Sequence, residues 1–133
     1  MYLIDSNIIL DILTQDPVWF EWSSSQIRSY LEKGSLIINP IIYAEVAMGF
    51  LDVIGCDQAI PQSFFRRDPL PYQAGFLAAH AYLSYRRRGG IRTSPLPDFY
   101  IGAHASVANL CLVTRDENRY QTYFPTLSLI IPD

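Results

Sequence analysis

Met1-Tyr2-Leu3-Ile4-Asp5-Ser6-Asn7-Ile8-Ile9-Leu10-Asp11 opens the chain, and its reading decides the fold. An apolar run of strand length stops at a carboxylate, and a helical apolar rhythm starts behind Ser6 and Asn7. In open α/β sheets, ligands bind beyond the carboxyl ends of strands, so Asp5 is expected at the sheet rim, where chemistry more than packing selects the side chain. The alternative is that Asp5 or Ser6 only caps the helix, a task such residues perform well. Three later segments bear on that choice.

Working outward, Ile8, Ile9, Ile12 and Leu13 recur at helical spacing until Pro17, and a second helix is expected from about Trp19 to Lys33, closed by Gly34. Ser35-Leu36-Ile37-Ile38-Asn39 is short, aliphatic and bounded by Gly34 and Pro40, and it reads as a second buried strand. Strand, helices and strand in this order favour parallel pairing through a right-handed crossover. Another short helix is expected within Gly55 to Asp68, before the turn-rich Asp68-Pro69-Leu70-Pro71. A long helix from Tyr72 to Arg88 follows, with a small-residue face of Gly75, Ala78 and Ala79.

The second informative segment is Pro40 to Leu51. Proline suits a first helical turn, and Ile41, Ile42, Glu45, Met48 and Gly49 then share one face. A carboxylate buried in such a stripe must protonate or find a cation; at the stripe's edge it would reach water along its stem. The third is Ser94 to Ala105, where two prolines lead to Asp98 in the first turn of a helix whose Ile101, Ala105 and Ala108 form an apolar face. The helix dipole alone would favour an aspartate there. Leu110-Cys111-Leu112-Val113-Thr114 then repeats the opening arrangement, an aliphatic strand followed by a carboxylate, Asp116. A short helix from Glu117 to Tyr123 and a strand from Leu127 to Ile131 complete the expected order.

Composition sets outer bounds. A chain of 133 residues, half of them apolar, is sized for one domain with a sizeable core. It has neither a membrane-length apolar stretch nor a signal-peptide pattern, so a cytoplasmic location without membrane attachment is expected. Cys56 and Cys111 lack metal-ligand spacing and read as small hydrophobes, while His80 and His104 have no partner at the spacing zinc would need. The net charge of −3 becomes +1 once the four singled-out carboxylates are set aside, and nine of the ten basic residues are arginine, the side chain suited to bidentate phosphate contacts. Arg86-Arg87-Arg88-Gly89-Gly90-Ile91-Arg92 is either a solvated helix end or a phosphate-steering cluster.

The segments Leu3 to Asn7, Asn39 to Glu45, Leu96 to Ala105 and Leu112 to Asp116, in this order, resemble the PIN-domain ribonucleases, and more closely a VapC-type toxin of a toxin-antitoxin pair. The resemblance spans nearly the whole chain and implies one α/β PIN domain over residues 1–133, with a central parallel sheet of four or five short strands flanked by helices. It implies that Asp5, Glu45, Asp98 and Asp116 form a catalytic acidic site for Mg2+ or Mn2+, and that Asn7 and Thr114 orient it. Ser6 stands where many relatives carry threonine and keeps the hydroxyl. The implied partners are RNA, a cognate antitoxin covering the acidic groove, and a second copy of the chain; the implied products carry a 5′-phosphate and a 3′-hydroxyl.

The residues suit that chemistry independently. An all-oxygen ligand set fits Mg2+ or Mn2+ better than zinc. Asp5, Asp98 and Asp116 are expected as principal ligands, with Glu45 binding a second ion or holding a ligand water. Arg115 and Arg119, and beyond them Arg86, Arg87, Arg88 and Arg92, are expected to meet the RNA backbone. Two other readings compete. A haloacid-dehalogenase-type phosphatase needs a second aspartate two residues after the first, where this chain has Asn7. A non-catalytic RNA- or protein-binding module would use nine Tyr and seven Phe as interaction surface and the carboxylates as caps.

Overall fold

The strands β1 (Tyr2–Ile4), β2 (Leu36–Ile38), β3 (Phe65–Arg67), β4 (Cys111–Val113) and β5 (Leu129–Ile130) form one sheet in the order β3-β2-β1-β4-β5, and every pairing is parallel. A computed structural model describes residues 1–133. The three central strands are short and aliphatic because helices flank the sheet, and Leu3, Ile4, Leu36, Ile37, Ile38, Leu112 and Val113 are all buried. Each such side chain contributes about 1.5–3 kcal/mol on leaving water.

The chain leaves β1 for β2 on one side and later places β4 on the other, with Leu3 opposite Leu112 and Ile4 opposite Val113. The order therefore reverses between β1 and β4. At such a point, loops leaving adjacent strand ends diverge and open a crevice. Asp5 and Asp116 follow the two strands that flank it.

Seven helices surround this frame: α1 (Ser6–Leu13), α2 (Phe20–Leu31), α3 (Pro40–Ala47), α4 (Val53–Ala59), α5 (Tyr72–Arg87), α6 (Pro97–Val107) and α7 (Glu117–Tyr123). Asn39 caps α3 by accepting from the Ile42 N–H at 2.9 Å, and Pro40 occupies the first turn. No helix is long and apolar enough to cross a membrane.

Several local readings need revision. β3 lies inside the segment read only as helix and turn; it is an edge strand carrying Arg66 and Arg67, so it lacks the apolar signature of a buried one. α1 stops at Leu13, and Gln15 turns the chain with φ +52° before Pro17 is reached. Met48 lies beyond α3 and is 82% exposed, so the stripe assigned to Glu45 does not stay buried along its length. The small residues of α5 divide: Ala74, Ala78 and Ala81 are buried where α5 packs against α6, and Ala79 faces outward. Cys56 is buried and Cys111 partly so, both as free thiols.

Candidate active site

Asp5 both caps a helix and faces the crevice. Its backbone N–H donates to Val113 O at 3.0 Å, which fixes it to β4, and its Oδ1 accepts from the Ser6 N–H at 2.8 Å at the start of α1. The other carboxylate oxygen, Oδ2, accepts from the Thr114 hydroxyl at 2.8 Å, the Tyr120 hydroxyl at 2.9 Å and the Asn7 amide at 3.4 Å. Asp5 thus caps α1 through Oδ1, while side chains from α1, the end of β4 and α7 hold Oδ2.

Thr114 and Asn7 tie the ends of β1 and β4 together. The Thr114 hydroxyl accepts from Asn7 Nδ2 at 3.2 Å and from the Asp116 N–H at 3.0 Å, while Asn7 Oδ1 accepts from the Arg115 N–H at 3.3 Å. Ser6 reaches the other way, its Oγ donating to Glu45 Oε1 at 3.0 Å. That bond joins the β1 end to α3. Asp98 enters on the first turn of α6, with Arg119 Nε 3.9 Å from its Oδ2.

The electrostatics follow from this crowding. Burial raises the Asp5 carboxyl above its ordinary range, against the hydrogen bonds from Thr114, Tyr120 and Ser6, and the Glu45 charge adds to the rise. Burial also raises Glu45, with Ser6 opposing and Asp98 reinforcing. Asp98 is pushed up to about 6, first by burial and then by the charges of Asp5 and Asp116, while Arg119 and Tyr120 pull it down. Such a group gains by exchanging its protons for a cation. No three of these side chains form a ready ligand cage. A hydrated Mg2+ or Mn2+, which keeps several of its waters, does not require one.

Asp5, Glu45 and Asp98 are brought together with Ser6, Asn7 and Thr114, and Asp116 stands at the exposed N-terminus of α7, near enough for its charge to act on Asp98. Of the arginines, only Arg119 lies against a carboxylate of the group. Arg115, expected on substrate, instead forms two bonds to Asp11 at 2.7 and 2.8 Å, because Asp11 is buried and needs a counter-charge. Arg86 turns back on its own loop, donating to the carbonyls of Gly90 and Arg92. Arg88 lies 5.5 Å from the Tyr123 ring centre, and Tyr123, Arg119 and Asp116 line a depression of about 280 Å³. Arg87 and Arg92 are exposed.

Tyr120 escaped the sequence reading. Its ring is fully buried, and burial together with the nearby carboxylates raises its hydroxyl well above the usual tyrosine range, so it acts as a neutral donor. The available signal was its spacing, four residues after Asp116 and hence one helical turn along. A separate cavity of about 300 Å³ at the ends of β2 and β3, lined by Asn39, Tyr43, Arg67 and Asp68, contains none of the four carboxylates.

The PIN domain family profile matches residues 2–125. No curated protein matches the sequence. Among solved structures, VapBC2 from Rickettsia felis, bound to a DNA fragment from its promoter, is similar with a TM-score of 0.75 at 19% identity, covering 99% of this chain and 98% of that one. VapBC-1 from nontypeable Haemophilus influenzae gives 0.73 at 19% identity, with 98% and 96% covered. A toxin-antitoxin complex from Klebsiella pneumoniae gives 0.67 at 20% identity, with 100% and 98% covered. At these identities the likeness is one of fold.

Proposed function

The chain belongs to the PIN domain family, and from that premise we propose that it is an endoribonuclease, the VapC-type toxin of a type II toxin-antitoxin pair, with residues 1–133 as one PIN domain. The observation that carries the reading is the gathering of Asp5, Glu45 and Asp98 beside the reversal of the sheet, with all three carboxyls raised by burial and by neighbouring negative charge. Carboxylates in that position hold protons or hold a cation.

Asp5, Asp98 and Asp116 would be the principal ligands of Mg2+ or Mn2+, and Glu45 would take a second ion or a ligand water. Bound there, such an ion polarises a phosphoryl group and makes hydroxide available near neutral pH. The residues of the chain do the rest. Thr114, Asn7 and Ser6 hold the carboxylates in place by hydrogen bonds, and Arg119, at the rim beside Asp98, meets a substrate phosphate. Arg88 is the member of the basic cluster that extends this path, because it reaches the Tyr123 ring beside Arg119. No covalent nucleophile is needed.

A cognate antitoxin and a second copy of the chain are the proposed protein partners. Support for the first is that the similar structures include a toxin-antitoxin complex. Support for the second is the outward stripe of α5, where Tyr72, Phe76 and Leu83 are 98%, 70% and 46% exposed. Size-exclusion mass tests the dimer, and a concentration-independent monomer removes it.

The test of the activity is incubation with total RNA and Mg2+ or Mn2+, repeated with chelator and with Asp5→Asn. Cleavage should require the ion and vanish in the variant. Cleavage that survives both treatments removes the proposal, and no cleavage across many RNAs favours a binding module of the same fold.

A further inference from the structure

We infer that Tyr120 is a positioning residue of the acidic site, its hydroxyl setting the separation of Asp5 and Asp98 that a divalent cation requires. This inference rests on the metal-dependent reading above. Tyr120 Oη lies 2.9 Å from Asp5 Oδ2 and 3.5 Å from Asp98 Oδ1, and these two acids are its only side-chain partners. The phenol has one proton, so it donates fully to Asp5 and weakly at best to Asp98.

The buried ring explains its own presence, since it fills space beneath Gly102, whose absent Cβ would lie 3.1 Å from Tyr120 Cδ1. A phenylalanine would fill the same volume. The oxygen needs a separate reason, because a buried hydroxyl is unfavourable without a partner, and the partners it has are both proposed ligands.

The topology supports the same role. Asp116 stands at the N-terminus of α7 and Tyr120 one turn further along, so this single helix delivers one proposed ligand and the hydroxyl that bears on two others. Asp5 belongs to the β1 end and Asp98 to the start of α6, and the Tyr120 hydroxyl is the one side-chain donor within 3.5 Å of both. With Oδ2 of Asp5 surrounded by Thr114, Tyr120 and Asn7, its Oδ1, bonded to the Ser6 N–H, remains the less crowded oxygen. Removing the hydroxyl takes one of three side-chain donors from Asp5 Oδ2 and the one hydroxyl within reach of both Asp5 and Asp98. Partners of metal ligands are worth about ten- to a hundredfold in affinity or activity.

The test is Tyr120→Phe, titrated with MnCl2 by calorimetry at pH 8 and assayed on RNA, with unfolding midpoints taken with and without Mn2+. Expected are a Mn2+ Kd weaker by about ten- to a hundredfold, a smaller rise of the midpoint on adding Mn2+, a lowered kcat and an RNA KM within about twofold of the parent. Unchanged Kd and kcat in a variant of a parent that binds Mn2+ and cuts RNA overturn the inference alone. A parent that neither binds Mn2+ nor cuts RNA overturns the metal-dependent reading, and the inference with it. A variant that fails to fold, with or without Mn2+, also overturns it, since the hydroxyl would then be holding the fold.

Discussion

Arg115 grips Asp11 through two hydrogen bonds, Nε to Oδ2 at 2.7 Å and Nη2 to Oδ1 at 2.8 Å. The Asp11 side chain is 3% exposed and has one further donor, the Ser23 hydroxyl at 2.7 Å, while the Arg115 guanidinium lies 5.3 Å from the Trp19 ring centre. The residue before Asp116 therefore ties the β4–α7 turn to α1 and α2. Arg115→Ala leaves a buried carboxylate without its counter-charge and should reduce stability by about 2–4 kcal/mol. Urea unfolding of Arg115→Ala, Asp11→Asn and the double variant should give a coupling energy above about 1 kcal/mol. Additive effects would show that the pair is decorative and return Arg115 to the list of substrate contacts.

Asp98 gives the metal-free protein a distinctive acid response. Its carboxyl is raised from 3.8 to about 6 by burial and by Asp5 and Asp116, so the folded state holds this proton more tightly than the unfolded chain. Stability from this source is fully present below the unfolded value and is lost as pH rises through about 6. The rise from 3.8 to about 6 corresponds to about 3 kcal/mol. Metal-free Asp98→Asn should be more stable than the parent at pH 7.5 by about 1–3 kcal/mol, with the advantage gone by pH 4. Cation binding runs the other way and strengthens as Asp98 ionises above about 6. Urea unfolding at the two pH values decides it, and an equal difference at both would refute the coupling.

Legibility in the sequence followed burial. β1, β2 and β4 could be read because both faces of each strand are covered, which turns them into continuous aliphatic runs. β3 could not, because an edge strand carrying two arginines has neither an apolar run nor alternation. The carboxylates stood out through their places after strands and in first helical turns, a local signal. Tyr120 and the Arg115–Asp11 pair are long-range: 115 residues separate Tyr120 from Asp5 and 104 separate Arg115 from Asp11, and apart from the place of Tyr120 one turn after Asp116 no local pattern announces either. Charge type is visible in a sequence, whereas the partner an arginine takes in the fold, Asp11 in the case of Arg115, is not.

Gly102 governs how closely α7 approaches α6. A Cβ there would fall 2.5 Å from Phe124 Cε2 and 3.1 Å from Tyr120 Cδ1, on rings that are buried and cannot swing aside. Glycine inside a helix is ordinarily disfavoured relative to alanine by up to about 1 kcal/mol, so an exposed site would gain from the exchange. Here Gly102→Ala should instead lose about 1–3 kcal/mol through overpacking and weaken Mn2+ binding by displacing Tyr120. A stabilised Gly102→Ala protein with unchanged affinity would mean that α7 can shift without consequence for the site.

Asn39 and His104 link the two helices that carry Glu45 and Asp98. Asn39 Oδ1 accepts from the Ile42 N–H at 2.9 Å, so its amide nitrogen must face His104 Nδ1, also at 2.9 Å. His104 Nδ1 is then the acceptor, and the ring proton sits on Nε2. Protonation would set an N–H against the amide N–H, and burial already holds His104 below 6.5, although Asp68 pulls it upward. As pH falls, the unfolded chain takes its proton first, so this contribution is complete above about 6.5 and declines toward the lower folded value. The trend opposes that of Asp98, and variants separate them. His104→Ala strands a buried amide and should lose about 1–3 kcal/mol at pH 7.5, whereas His104→Gln, which retains an acceptor, should lose less and should lack the acid-sensitive component. Urea unfolding of the parent and His104→Gln at pH 7.5 and pH 5.5 measures it, and parallel curves would place the acid sensitivity elsewhere.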